Sequence, residues 1–230
     1  MSTSLPVTEL PPALSVVVPV FRNAASLAEL AARVDRALAS RAYELLFVDD
    51  ASPDGARTVI EQLADEDSRV GGIVLGRNVG QNAAIVAGLA RARGQSIAVM
   101  DGDLQDPPEA LPALLEGLGD GTDVVFAARR GRYEALTRLI AGRALKWALW
   151  LLTGRKLPPR AGLFLVMRRS VADRVVANAP DDPYVVVLVA QAARSVATVP
   201  VDRGRARASS YTIRMRWHVA RRALAATVRR

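Results

Sequence analysis

From Leu14 to Ala128 the chain alternates short β-branched runs with segments rich in alanine, leucine and arginine at helical spacing. That alternation belongs to a parallel sheet flanked by helices, an α/β architecture. The spacing predicts strands over residues 14–18, 43–48, 70–75, 96–100 and 123–127, with helices over 26–39, 54–64, 81–91 and 108–118. Ser26, Ser52-Pro53-Asp54 and Asp106-Pro107-Pro108 supply the capping side chains or first-turn prolines that open such helices. After Arg132 the pattern changes to one long amphipathic stretch over 133–152, with Arg138, Arg143 and Lys146 on its polar side. A Leu157-Pro158-Pro159 turn ends it, and a strand over 162–167, a short helix over 170–178 and a last strand over 196–201 follow.

A chain of 230 residues suits one such domain and is short for two. The expected division is an N-terminal extension over 1–12, an α/β domain over 13–202 and a basic arm over 203–230. Within that domain two halves are expected, one over about 14–132 and one over about 133–202. Cysteine is absent, which rules out a disulfide framework and a thiolate metal site and fits a cytoplasmic setting. No apolar run approaches the roughly 18 to 20 residues that span a bilayer, so no transmembrane segment is expected. The net charge of +8 is unevenly placed, because residues 203–230 carry nine arginines and no acid, leaving 8 − 9 = −1 for the rest. Such an arm seeks an anionic partner: a membrane surface, nucleic acid or substrate phosphates.

In open parallel sheets, ligands bind beyond the carboxyl ends of the strands, where strand order reverses. The residues following the expected strands should therefore converge. They are Pro19 to Asn23, Asp49-Asp50, Arg77-Asn78, Asp101 to Asp106 and Arg129 to Arg132. In Asp101-Gly102-Asp103 two carboxylates flank a glycine as a strand leaves the sheet, and Gln105 and Asp106 stand close by. Mg2+ or Mn2+ prefers such oxygen ligands shared with substrate phosphates, which makes Asp101, Asp103 and Gln105 the candidate metal set. Taken alone, the run reads more readily as a solvated acidic loop that caps the next helix. The Pro19-Val20-Phe21 corner offers backbone and an apolar wall to a nucleobase, and Asp49 or Asp50 can accept from base N–H or ribose hydroxyls. Turn formation and capping are the competing use of Asp49, Asp50 and Ser52. Arg77, before the Gly80-Gln81 helix start, and the cluster Arg129, Arg130 and Arg132 are candidates for phosphate.

Together these segments resemble family 2 inverting glycosyltransferases, in the branch of dolichol- and undecaprenyl-phosphate sugar synthases. Asp101-Gly102-Asp103-Leu104-Gln105-Asp106-Pro107-Pro108-Glu109 is similar to the D-x-D-L-Q-[DN]-P-P-E signature. Ser15 to Phe21 resembles the first strand and nucleotide loop, Val48 to Gly55 the V-D-D-x-S-x-D-G segment, and Arg77 to Gln81 the R-N-x-G-[QK] turn. Arg129 and Arg132 fall where the family has paired arginines. The resemblance implies a GT-A fold and a divalent cation, Mg2+ or Mn2+. It also implies a UDP- or GDP-sugar donor and attack by a polyprenyl phosphate on the anomeric carbon with inversion.

On that reading Asp103, Arg129 and Arg132 are catalytic. Pro19, Phe21, Asp49, Asp50, Arg77, Asp101 and Gly102 bind nucleotide. Such an acceptor is already ionised, so no strong base is required, and the sole histidine, His218, reads as a surface residue. A hydroxyl acceptor would need one, for which Asp181 or Asp182 are the later acids to inspect. The amphipathic stretch and the arm fit an enzyme peripheral to the cytoplasmic membrane face. Two alternatives stay open: the same chemistry on a soluble acceptor, or a non-catalytic protein binding membrane or nucleic acid through its arm. The acidic run counts against nucleic acid, and self-association stays open. A nucleotidyltransferase would want a glycine-rich loop after the first strand, and a dehydrogenase a G-x-G-x-x-G; neither occurs.

Overall fold

The computed structural model describes residues 12–130, 157–158 and 161–202. The long amphipathic stretch, Arg132 and the arginine arm lie outside the described residues. The elements run β1 (Leu14–Val20), α1 (Ala24–Ala37), β2 (Tyr43–Asp49), α2 (Ala56–Glu66), β3 (Val70–Val74), α3 (Gln81–Arg91), β4 (Ser96–Val99), α4 (Leu111–Glu116), β5 (Val124–Arg130), β6 (Leu165–Arg168), α5 (Arg169–Ala177), α6 (Val185–Ala192) and β7 (Val196–Asp202). The strands form one sheet in the order β3-β2-β1-β4-β6-β5-β7. β6 pairs antiparallel with both β4 and β5, and every other pairing is parallel. A strand from the later half is thus built into the sheet between β4 and β5.

Period-two alternation sorts the core. On β1, Val17 packs on one face with Val48, Ile85, Leu89 and Val99, while Val16 and Val18 pack on the other with Leu27, Leu30, Val34 and Ile60. α3, α5 and α6 cover the first face, and α1, α2 and α4 the second. Gly88 lets α3 approach closely, since a Cβ there would lie 2.4 Å from Val17 Cγ1 and 2.9 Å from Val48 Cγ2.

Several expected elements changed. The helix expected over 108–118 is a 3-10 turn, Pro108–Ala110, followed by the short α4, because prolines at 107, 108 and 112 remove backbone donors. α1 opens at Ala24, ahead of Ser26. β5 runs on to Arg130, because β7 continues the ladder through Arg129 opposite Val201 and Arg130 opposite Asp202. Arg129 and Arg130 are therefore the end of a strand rather than the loop after it. α6, Val-Val-Val-Leu-Val-Ala-Gln-Ala, escapes the helical pattern altogether. Its valines lose about 0.5 kcal/mol each in helix propensity. Burying each gains about 2 kcal/mol, and residues 185–190 are all buried, so tertiary packing wins.

At the opposite end of the sheet from the strand termini sits a buried polar knot. Glu44, 4% exposed, accepts from Ser15 Oγ at 2.6 Å, Arg93 N at 2.6 Å and Arg93 Nε at 2.8 Å. Burial pushes the Glu44 carboxyl up, but these donors together outweigh it and hold it below the ordinary glutamate value. Arg33 does the same for Glu109 through a bidentate pair at 2.8 and 2.7 Å, working against burial. Both folded-state values lie below the unfolded one. Their stabilisation is therefore complete above about pH 4.3 and is lost as pH falls through the depressed values. Chemical denaturation between pH 6 and 3 is expected to show this acid loss, and Glu44→Gln should make it shallower.

Candidate active site

Strand order reverses at β1, because β2 and β3 lie to one side and β4 to the other. The crevice beyond the carboxyl ends of β1 and β4 is thus the topological switch point. Phe21, Arg22 and Asn23 follow β1, and Asp101, Gly102 and Asp103 follow β4 one residue after Val99-Met100. The acidic run therefore lies where the fold brings ligands.

Backbone strain concentrates there. Among the described residues the non-glycine residues with positive φ are Arg22 (59°), Ala51 (53°) and Leu104 (61°), one after each of β1, β2 and β4. Each costs about 1 kcal/mol, held by the surrounding bonds. Arg22 N donates to Ser52 Oγ at 2.7 Å, Ala24 N to Asp54 Oδ2 at 2.8 Å, and Ser52 Oγ to Asp54 Oδ1 at 2.5 Å. The loop after β2 thereby ties down the loop after β1. Asp54 resists burial through these donors, which hold its carboxyl below the usual aspartate range.

Pro19 lies within β1, buried and opposite Val48. Phe21 is 44% exposed at the crevice, with the Arg22 guanidinium 5.3 Å from its ring centroid. Asp49 and Asp50 are each 2% exposed. Asp49 Oδ1 accepts from Ser52 N at 2.9 Å. Asp50 spends both oxygens on the loop before α3, accepting from Val79 N at 2.7 Å and Gly80 N at 2.9 Å. Arg77 is exposed on that same loop.

In the acidic run, Asp101 Oδ1 accepts from Gln81 Nε2 at 2.6 Å. Asp103 is exposed, and its two oxygens accept from Gln105 N at 3.0 Å and Gln105 Nε2 at 2.6 Å. The structure thus brings Asp103 and Gln105 together and gives Asp101 a separate anchor. Asp106 is buried, 2% exposed, and the Arg33–Glu109 pair fastens the next turn to α1. Gly102 sits close against the first loop: a Cβ would fall 2.2 Å from Asn23 Nδ2 and 3.3 Å from Val18 Cγ1, so a side chain there would have to displace the Asn23 amide. The Gly102 carbonyl lies 2.6 Å from Ser26 Oγ, which also reaches Asn23 O at 2.8 Å and donates to one at a time. Arg129 sits at the end of β5, and Arg132 is outside the described residues.

Among the described residues no group of three or more His, Cys, Asp or Glu side chains could hold a metal ion. The donors at hand, two carboxylates and the Gln105 amide, are oxygens alone. That set fits a hard cation that leaves positions open for phosphate oxygens, and it does not fit a closed structural site. Gln81 and Ser52 carry bonds that sequence reasoning did not assign. Gln81 was legible only as a helix start, because its partner lies 20 residues on.

A family model for glycosyl transferase family 2 matches residues 15–176. The chain belongs to that family. Relatives include the undecaprenyl-phosphate 4-deoxy-4-formamido-L-arabinose transferases of Klebsiella pneumoniae and Aeromonas hydrophila. The first is 35% identical over 191 residues, 82% of this chain and 58% of the relative. The second is 34% identical over 196 residues, 84% and 60%. The chain thus spans about three-fifths of these relatives' length. Among solved structures, glucosyl-3-phosphoglycerate synthase from Mycobacterium tuberculosis, with Mn2+, UDP and phosphoglyceric acid, matches with a TM-score of 0.68. It is 18% identical, with 94% of this chain and 77% of that one covered. A mannosyltransferase from Pyrobaculum calidifontis, with GDP-Man and Mn2+, matches with a TM-score of 0.65 at 19% identity, covering 96% and 66%. At such identities the likeness establishes the GT-A fold.

Proposed function

We propose that this chain is an inverting glycosyltransferase that moves a sugar from a nucleoside-diphosphate sugar to a polyprenyl phosphate. The observation that carries the reading is the position of Asp101 and Asp103, at the β1/β4 switch point beside the exposed Phe21 corner. The relatives' names supply the acceptor class, and nucleotide sugar with Mn2+ in the mannosyltransferase complex supports the donor and the cation.

Phe21 offers its face to the base, and Asp49 stands at the end of β2 for ribose or base hydrogen bonds. Asp101, Asp103 and Gln105 would hold Mg2+ or Mn2+, which when bound neutralises charge on the departing diphosphate. Arg77, Arg129 and Arg132 supply cations for the phosphates of donor and acceptor. An acceptor phosphate oxygen forms the new bond to the anomeric carbon as the bond to the diphosphate oxygen breaks, and the nucleoside diphosphate leaves with that electron pair. An ionised phosphate carries no proton that must be removed, so the chain need only position it and exclude water.

β5 and β7 end side by side, with Arg130 opposite Asp202. Both strands run parallel to β1, so these two ends lie at the same end of the sheet as the site. The arginine-rich sequence over 203–230 supports a peripheral seat on an anionic membrane. Among the described residues no helix is long and apolar enough to cross one.

A thermal-shift panel of UDP-, GDP- and dTDP-sugars, with and without Mn2+, tests the donor half of the reading. Stabilisation requiring both the metal and one nucleotide is expected. No response to any pair would overturn it, and transfer to undecaprenyl phosphate then tests the acceptor.

A further inference from the structure

The first turn of α3 touches three parts of the molecule. Val79 N and Gly80 N bind Asp50, Gln81 Nε2 binds Asp101 at 2.6 Å, and Asn82 Oδ1 accepts from Val185 N at the start of α6 at 3.0 Å. Gly80 takes φ +89° as the N-cap, with no side-chain cap bond. The Gln81 side chain reaches Asp101, two residues beyond the end of β4. We propose that Gln81 is a positioning residue that orients the Asp101 carboxylate for the divalent cation; this rests on the metal reading above.

A donor to a metal-ligating carboxylate fixes the rotation of the group and thereby the direction of its oxygens. The orientation of the amide is not ambiguous, because Gln81 Oε1 turned to a carboxylate oxygen 2.6 Å away would set two acceptors against each other.

The test is Mn2+ affinity, read by electron paramagnetic resonance with saturating UDP or GDP, beside the thermal midpoint of each variant. Gln81→Ala is expected to weaken Mn2+ by about tenfold or more. Gln81→Lys keeps a donor in reach of Asp101 and should hold the thermal midpoint and recover most of the Mn2+ affinity that Gln81→Ala loses. Asn82→Ala, which loosens the same helical turn without touching Asp101, should lower the midpoint and leave Mn2+ affinity unchanged. Wild-type Mn2+ affinity in Gln81→Ala, or an equal loss in Asn82→Ala, would reduce Gln81 to a structural contact and leave the functional reading standing. Failure of the unaltered protein to bind Mn2+ with either nucleotide would overturn both.

Discussion

Asp103→Ala is expected to abolish the Mn2+-dependent stabilisation by nucleotide sugar and to lower transfer by about a thousandfold, with the fold intact. Removing a carboxylate from a two-carboxylate set forfeits several kcal/mol of charge stabilisation on the leaving diphosphate. Since about 1.4 kcal/mol is tenfold in rate, a loss near 4 kcal/mol gives that factor. The apo protein should hardly notice. Asp103 is exposed, and it accepts from Gln105, two residues on, through both of its oxygens. A surface change of this kind stays within about 0.5 kcal/mol of stability. Circular dichroism melts and a radiolabelled-sugar transfer assay decide it. A variant that keeps its metal-dependent shift would place the cation elsewhere.

The sheet was legible because its signal is periodic. β1 and β2 read as largely apolar runs, interrupted by Ser15 and Glu44, since both faces are covered, and the strand-end rule then pointed to Phe21, Asp50 and Asp101. α6 was not legible, because valine after valine reads as a strand, and only its burial between α3 and α5 makes it a helix. Arg129 shows the same limit at a boundary. Whether it ends a strand or begins a loop depends on β7, more than 60 residues later in the chain.

Within the site, residue types were legible and their partners were not. Ser52 and Asp54 read as a helix-opening cluster, yet they bind the backbone after β1, 30 residues earlier. Gly102 read only as the glycine that two carboxylates flank. Its neighbour Asn23 shows instead that it clears space between the two loops. Such pairings arise from strand order, which local pattern does not encode.

Asp50 carries the sharpest consequence of that difference. As a nucleotide ligand alone it would be a buried, uncompensated charge in the apo protein, and alanine in its place would raise stability. The structure gives it two backbone donors, Val79 N and Gly80 N, at 2.7 and 2.9 Å. Asp50→Ala leaves both without an acceptor at about 1–3 kcal/mol each. Water reaches the site partly, as Val79 is 42% exposed. A net loss of about 2–3 kcal/mol follows, together with slack in the turn that carries Gln81. Asp50→Asn keeps one acceptor but turns an NH2 toward the second donor, so it should recover less than half. Urea denaturation without nucleotide reads the sign directly: a fall in midpoint of about 1 M marks Asp50 as the bracket between β2 and α3, and a rise marks it as a ligand held in reserve.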